Sequence, residues 1–319
     1  MEKKYVVGVD VGGQTSKIGV VDAEGKILAQ TVIRSDTYGA DFDAFAKALA
    51  DGILATIKEA GKEGEIRGIG VGAPNGNYYT GEIACAPNLA WAAKKSVPFA
   101  KTLSANLGGI PVSLTNDANA AAVGEMTYGA ARGMKNFIMI TLGTGVGSGI
   151  VIDGKMVYGS DGFAGELGHV IIERNGRQCG CGRKGCLEAY CSATGVSRTA
   201  KEWMAESDEP TLLRNYENPS AKDVFDCAKQ GDEMAKRIFD YTGTLLGRQL
   251  ADFIAFSAPE AIVLFGGLAR NKEFLTEPIL KSMNENVLPL WRNKVKLVYT
   301  ELKESDAAIL GASALAWEL

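Results

Sequence analysis

The chain contains a single histidine, His169, and ten residues later begins the run Cys179-Gly-Cys181-Gly-Arg-Lys-Gly-Cys186. Three thiolates and one imidazole make a closed tetrahedral zinc set, and interspersed glycines let a short loop wrap the ion. A group of free, reduced cysteines is the alternative. Four protein ligands leave no position open for water, so the metal is read as structural rather than hydrolytic. Glu166-Leu-Gly-His169 is not a metalloprotease motif, because the chain has no second histidine. Glu166 and Glu188 flank the loop, and carboxylates held beside such a loop suit a polyhydroxylated substrate, since each accepts more than one hydroxyl hydrogen bond. Plain surface acids are the bland reading of either glutamate alone.

A second kind of chemistry is suggested by glycine-rich turns. Asp10-Val-Gly12-Gly13-Gln14-Thr15-Ser-Lys17 offers a carboxylate, glycines, a hydroxyl and a cation. Backbone amides in such a turn can converge on phosphate oxygens, and a nearby acid can hold hydrated Mg²⁺. The Gly-Lys-Ser/Thr ending of a Walker A loop is missing, and a strand rather than a helix follows, which also disfavours a Rossmann fingerprint. A simple hairpin explains this turn equally well in isolation. The run Phe137 to Lys155 repeats it, with Gly143-Thr144-Gly145 falling where Gly12 begins the first turn, and Asp153-Gly-Lys closing it. Two opposed turns would supply donors to a triphosphate from two sides. Gly266-Gly267, after the apolar run Ala261–Phe265, offers a further close approach, or merely a tight strand-to-helix turn. At Asn116-Asp117 a strand runs into a helix. Asp117 is either a helix N-cap or a carboxylate at a strand's C-terminal edge, able to accept a proton from an attacking hydroxyl.

These residues need a frame, and the pattern predicts an α/β one. Strands are expected near residues 5–11, 15–22, 27–33, 66–73 and 261–265, with an amphipathic helix over 41–60 carrying Phe45, Leu49 and Ile53. Further helices are expected over 233–256, after Gly267, and over 307–319, with residues 206–220 as an exposed loop. Cys85, Cys191 and Cys227 have no metal spacing and are read as core residues. At 319 residues and 46% hydrophobic content the chain has material for about two domains. Lysines and arginines number 34 against 38 acids, a net charge of −4, which argues against a general nucleic-acid partner. The longest uncharged stretch, 137–152, is too short and too glycine-rich to span a membrane. Six cysteines without a visible leader point to a reducing compartment, and the chain is read as cytoplasmic. With 39 glycines and only 9 prolines, tight turns and close approach to ligands are expected rather than flexible linkers.

Taken together, the Cys179-x-Cys-Gly-x-x-Gly-Cys-Leu-Glu188 string, Gly165-Glu-Leu-Gly-His169, Asn116-Asp117 and the two glycine turns resemble the ROK family of bacterial sugar kinases. The resemblance runs nearly the whole chain. It implies two RNase H-like (actin-like ATPase / sugar kinase) domains with sugar and ATP in a cleft between them. The first would cover 1–117, completed by a C-terminal helix at 306–319, and the second 118–305 with the zinc loop at 169–186. It further implies that Asp117 is the catalytic base for a sugar 6-hydroxyl, and that Asn88, Asn116, Asp117, Glu166, His169 and Glu188 bind the sugar. Asp10, Gly12, Gly13, Gln14, Thr15, Lys17, Gly143, Thr144, Gly145, Gly266 and Gly267 would serve ATP and Mg²⁺. His169 would use one ring nitrogen for zinc and the other for substrate. The expected partners are a hexose and ATP, with no nucleic acid or membrane, in a homodimer or homotetramer.

Two positions depart from the family pattern: Gln14 stands where threonine is usual, and Asn75 where glycine is usual. Glucose is the expected sugar, with N-acetylglucosamine, N-acetylmannosamine and fructose as alternatives. A non-catalytic, sugar-responsive regulator of the same family is the rival, and its usual extra N-terminal helix-turn-helix has no room before Asp10.

Overall fold

The computed structural model describes residues 3–319, which divide into two compact units. The first holds residues up to Met134 together with Met156–Ala164 and Thr300–Leu319; the second holds Lys135–Lys155 and Gly165–Tyr299.

In the first unit, β1 (Tyr5–Val11) and β2 (Thr15–Val21) form an antiparallel hairpin with Asp10 opposite Lys17, and β3 (Ile27–Arg34) pairs with β2. Asp41 caps α1 (Phe42–Glu59) by accepting from Ala44 N at 3.0 Å. The chain then builds β4 (Ile66–Gly72), the short pair β5 (Ile83–Ala84) and β6 (Ser96–Val97), α2 (Phe99–Asn106), β7 (Val112–Thr115) and α3 (Asp117–Tyr128). The sheet order is β3-β2-β1-β4-β7, with β1, β4 and β7 parallel. Strand alternation sends Val7, Val9 and Val11 to one face, where they meet Phe45, Leu49, Ile53, Trp91 and Phe99. Trp91 stacks on Phe45 with centroids 4.8 Å apart, anchoring the loop that precedes it.

The second unit repeats this plan. β8 (Phe137–Leu142) and β9 (Val146–Ile152) form a hairpin, β10 (Lys155–Met156) extends it, and β11 (Ala261–Phe265) and β12 (Lys296–Tyr299) add in parallel, giving the order β10-β9-β8-β11-β12. Its helices are α4 (Glu188–Cys191), α5 (Ala193–Glu206), α6 (Ala221–Lys229), α7 (Glu233–Ser257) and α8 (Lys272–Asn286). The duplicated hairpin legible in the sequence is thus a duplicated sheet. Three expectations need correction. The helix after Gly267 begins only at Lys272, behind a single 3₁₀ turn at Leu268–Arg270. The segment 206–220 is not wholly exposed, because a 3₁₀ turn buries Leu213 completely. Cys191 and Cys227 are buried as expected, but Cys85 is exposed, on a residue with φ of 46° that turns its side chain outward.

The chain returns to the first unit with α9 (Glu304–Ala314) and a closing 3₁₀ turn at Leu315–Glu318. α9 covers the sheet face opposite α1, with Ile309 and Leu310 against Val6 and Val21. Gly19, Gly8 and Gly70 lie in register across β2, β1 and β4. A Cβ at Gly8 would overlap the Ile309 carbonyl oxygen, and one at Gly70 the Ala312 carbonyl oxygen. Many of the chain's glycines therefore make a smooth trough for a helix backbone rather than approach a ligand. Gly70→Ala is expected to destabilise the protein by about 3 kcal/mol or more, because backbone rather than a mobile side chain must move; urea unfolding measures it, and an unchanged midpoint would refute the close packing. No helix among the described residues is long and apolar enough to cross a membrane.

Candidate active site

At the β7–α3 junction the capping task falls to Asn116, whose side chain accepts from Asn119 N at 2.7 Å. Asp117 is the first helical residue, and its Oδ1 accepts only from the neighbouring Ala118 N, at 3.0 Å. The acid is thus released from the cap role that the sequence left open to it. Asp117 is solvent-accessible, yet the protein mass around it pushes its carboxyl above the usual carboxylate range. Asp10 sits near enough to feel it: burial first, then the Asp117 charge, raise Asp10 to about 6 against the opposing pull of Lys17. Two acids that repel each other in one place form a natural seat for a cation.

A sign check gives a prediction. Asp10 is raised from 3.8 to about 6, so the folded chain binds its proton more tightly, and stability declines as pH rises from about 4 to about 6. Asp10→Asn should therefore raise the melting temperature at pH 7, by a free energy of up to about 3 kcal/mol, and leave it unchanged at pH 4. Equal melting curves for the two proteins at pH 7 would contradict this.

The first glycine turn is closed by Gly12 N donating to Thr15 O at 3.0 Å, and by Ser35 N donating to Gln14 O at 2.8 Å. The Gln14 side chain is exposed, whereas Thr15 and Lys17 are half-buried. Gly13 lies against the backbone of Asn88, so that a Cβ there would strike the Asn88 carbonyl, and the exposed Asn88 is brought to this turn. Asn75 adopts φ of 53°, the left-handed backbone that glycine usually supplies and that asparagine tolerates best among the other residues. Its amide is spent on the Ala84 and Cys85 carbonyls, at 2.9 and 3.2 Å, tying down the loop that leads to Asn88.

In the second unit Gly143 N donates to Gly145 O at 3.0 Å, and Ala193 N to Gly143 O at 2.8 Å. Thr194 Oγ1 donates to Thr144 O at 2.8 Å. Gly266, at φ of 100°, packs on the Leu142 backbone just before this turn, whereas Gly267 faces open space. Glu188 joins the turn to the cysteine loop: Oε2 accepts from Val146 N at 3.0 Å, and the Cys179 thiol faces Oε1 at 3.5 Å. Glu166 is exposed and starts the 3₁₀ turn that carries His169. Sequence reasoning missed Ser148, which is buried on β9; its hydroxyl donates to Gly165 O and accepts from Leu167 N, setting that turn. A lone serine between glycines in a strand was the available signal.

The ligand atoms of His169, Cys179, Cys181 and Cys186 all lie within 4.8 Å of one another. Cys181 Sγ and Cys186 Sγ are 3.7 Å apart, as are Cys179 Sγ and His169 Nδ1. Zn–S bonds of about 2.3 Å at tetrahedral angles place sulfurs about 3.8 Å apart, so the set fits zinc. All six cysteines are free. With Nδ1 turned to the sulfurs, Nε2 is the imidazole nitrogen left for another partner.

The sequence pattern of the ROK family matches residues 6–318. The glucokinase of Thermotoga maritima is 35% identical over 320 residues, covering 99% of this chain and 98% of that one. The crystal structure of a ROK family glucokinase from Streptomyces griseus in complex with glucose and AMPPNP is 31% identical, with a TM-score of 0.78 over 99% of this chain and 100% of the other. A ROK hexokinase from Thermus thermophilus is 30% identical, with a TM-score of 0.84 over 98% of both chains. The two-unit α/β architecture is that of the actin-like ATPase fold shared by ROK sugar kinases. The chain belongs to the ROK family.

Proposed function

We propose that the protein transfers the γ-phosphoryl group of ATP to the 6-hydroxyl of a hexose, with glucose as its sugar, in a reducing cytoplasm. The observation that carries this is the division of labour at the β7–α3 junction. Asn116 takes the cap, which leaves Asp117 accessible with a raised proton affinity beside Asp10. Asp117 accepts the hydroxyl proton as the sugar oxygen forms its bond to the γ-phosphorus, and the bond to the β-phosphate oxygen breaks to release ADP. Asp10 would hold the Mg²⁺ that accompanies ATP and neutralises phosphate charge. The turns at Gly12–Gly13 and Gly143–Gly145 supply backbone donors to the phosphates, with Gly266 closing beside the second.

Asn88, Asn116, Glu166, His169 Nε2 and Glu188 hold the sugar hydroxyls, which fixes the attacking oxygen in line. His169, Cys179, Cys181 and Cys186 would hold zinc, whose contribution is to brace the loop that presents His169 and Glu188. The test is ADP release measured with glucose, N-acetylglucosamine, N-acetylmannosamine and fructose. Glucose should give the highest kcat/KM. A different best hexose overturns the sugar assignment, and no hexose-dependent ADP release overturns the kinase reading.

A further inference from the structure

Beside the junction that carries Asp117, one buried polar atom has no partner among the described residues. Asn119, fully buried on the first turn of α3, donates through Nδ2 to Thr115 Oγ1 at 3.3 Å, while its Oδ1 is unpaired. Thr115, also fully buried, ends β7, and its hydroxyl donates onward to the Tyr158 phenol. An unpaired buried polar group costs about 1–3 kcal/mol, so apolar side chains would fill this space more favourably. A polar link retained at that cost, touching both residues that flank Asn116-Asp117, fixes geometry rather than adding stability.

Tyr158 arrives from outside the strand–helix pair. It lies on Met156–Ala164, the strap that runs from β10 to the Gly165–His169 turn and packs within the first unit. The strap is docked by side chains of the 77–79 loop. The Tyr158 ring stacks on Tyr78 with centroids 4.0 Å apart and planes 6° apart. Asn77 Nδ2 donates to Asp161 O at 2.6 Å, and Tyr79 OH donates to Gly159 O at 2.9 Å. Asn77 is itself buried, and its Oδ1 accepts from Tyr79 N and Thr80 N at 3.0 and 3.1 Å.

We infer that Tyr158 is a positioning residue for Asp117, acting through the Thr115 hydroxyl and the Asn119 amide to set the first turn of α3. The inference rests on Asp117 being the base. Tyr158→Phe keeps the ring stack and removes only the hydroxyl link. It should lower kcat about ten-fold while KM for glucose and for ATP and the melting temperature stay near wild type, because misplacing the base weakens the transition state and not ground-state binding. Thr115→Val should lower kcat similarly, and the double variant should lose no more than either single one, since both cut the same link. Wild-type kcat in Tyr158→Phe, or losses that multiply in the double variant, would overturn the inference. Should Asp117→Asn itself turn over normally, the base assignment fails and takes this inference with it. If Asp117→Asn is inactive while Tyr158→Phe is unaffected, only the positioning role falls.

Discussion

Asp117→Asn is expected to lower kcat by about 10²- to 10⁴-fold, the range a positioned general base contributes. The change should leave the fold intact. Asn116 keeps the cap, and Asp117 contributes only a bond to the adjacent amide. Surrounding protein already disfavours the Asp117 carboxylate, so a neutral isostere should melt at the same temperature or higher, and metal content should not change. In the wild type the base must be deprotonated, so activity is lost as pH falls through its raised pKa; the acidic limb of kcat/KM should lie above the ordinary carboxylate range. Steady-state kinetics with a melting curve on the same preparation checks both halves. Turnover near wild type would remove Asp117 from its role.

Cys186→Ser should have the second large effect. Cys186 is fully buried, and its loop is held by few protein contacts besides the four ligands: Ile172 N to Gly185 O at 2.8 Å, Leu187 N to Val170 O at 2.9 Å and Cys179 N to Arg183 O at 2.9 Å. Apparent zinc-binding free energies in small sites reach about 10 kcal/mol or more, far beyond what three backbone bonds contribute. The variant should purify with little zinc and lose more than about 100-fold in kcat/KM, because His169 and Glu188 lose their bearing. The damage should stay local. Arg177 fastens the loop's other side through Glu202 and the Ala189 and Gly195 carbonyls, and it stacks on Tyr190. Elemental analysis, activity and far-ultraviolet circular dichroism together test this. Full activity in zinc-free protein would exclude a bracing role for the metal.

What could be read before any coordinates depended on how local the cause was. The two glycine hairpins were legible because each is one continuous run, and their alignment foretold two sheets of the same strand order. The metal set was legible for the same reason, with every ligand inside one short stretch. The division between Asn116 and Asp117 was not. Asparagine and aspartate cap equally well, and a pattern cannot locate a helix start to one residue. The in-register glycines of β2, β1 and β4 looked like ligand-facing turns, because the helix backbone that needs them lies at the far end of the chain. Tyr158 carried no signal at all: its partners Thr115 and Tyr78 come from distant segments, and nothing in its own neighbourhood marks it.

That glycine trough also dictates an order of events during synthesis. β1 is among the first segments to leave the ribosome, yet its packing partner α9 is among the last. The second unit has all its strands and helices translated before α9 exists, and so can mature first. Until then the nascent N-terminal sheet presents a bare, side-chain-poor face, the kind of surface on which chaperones act and at which a prematurely terminated chain would aggregate.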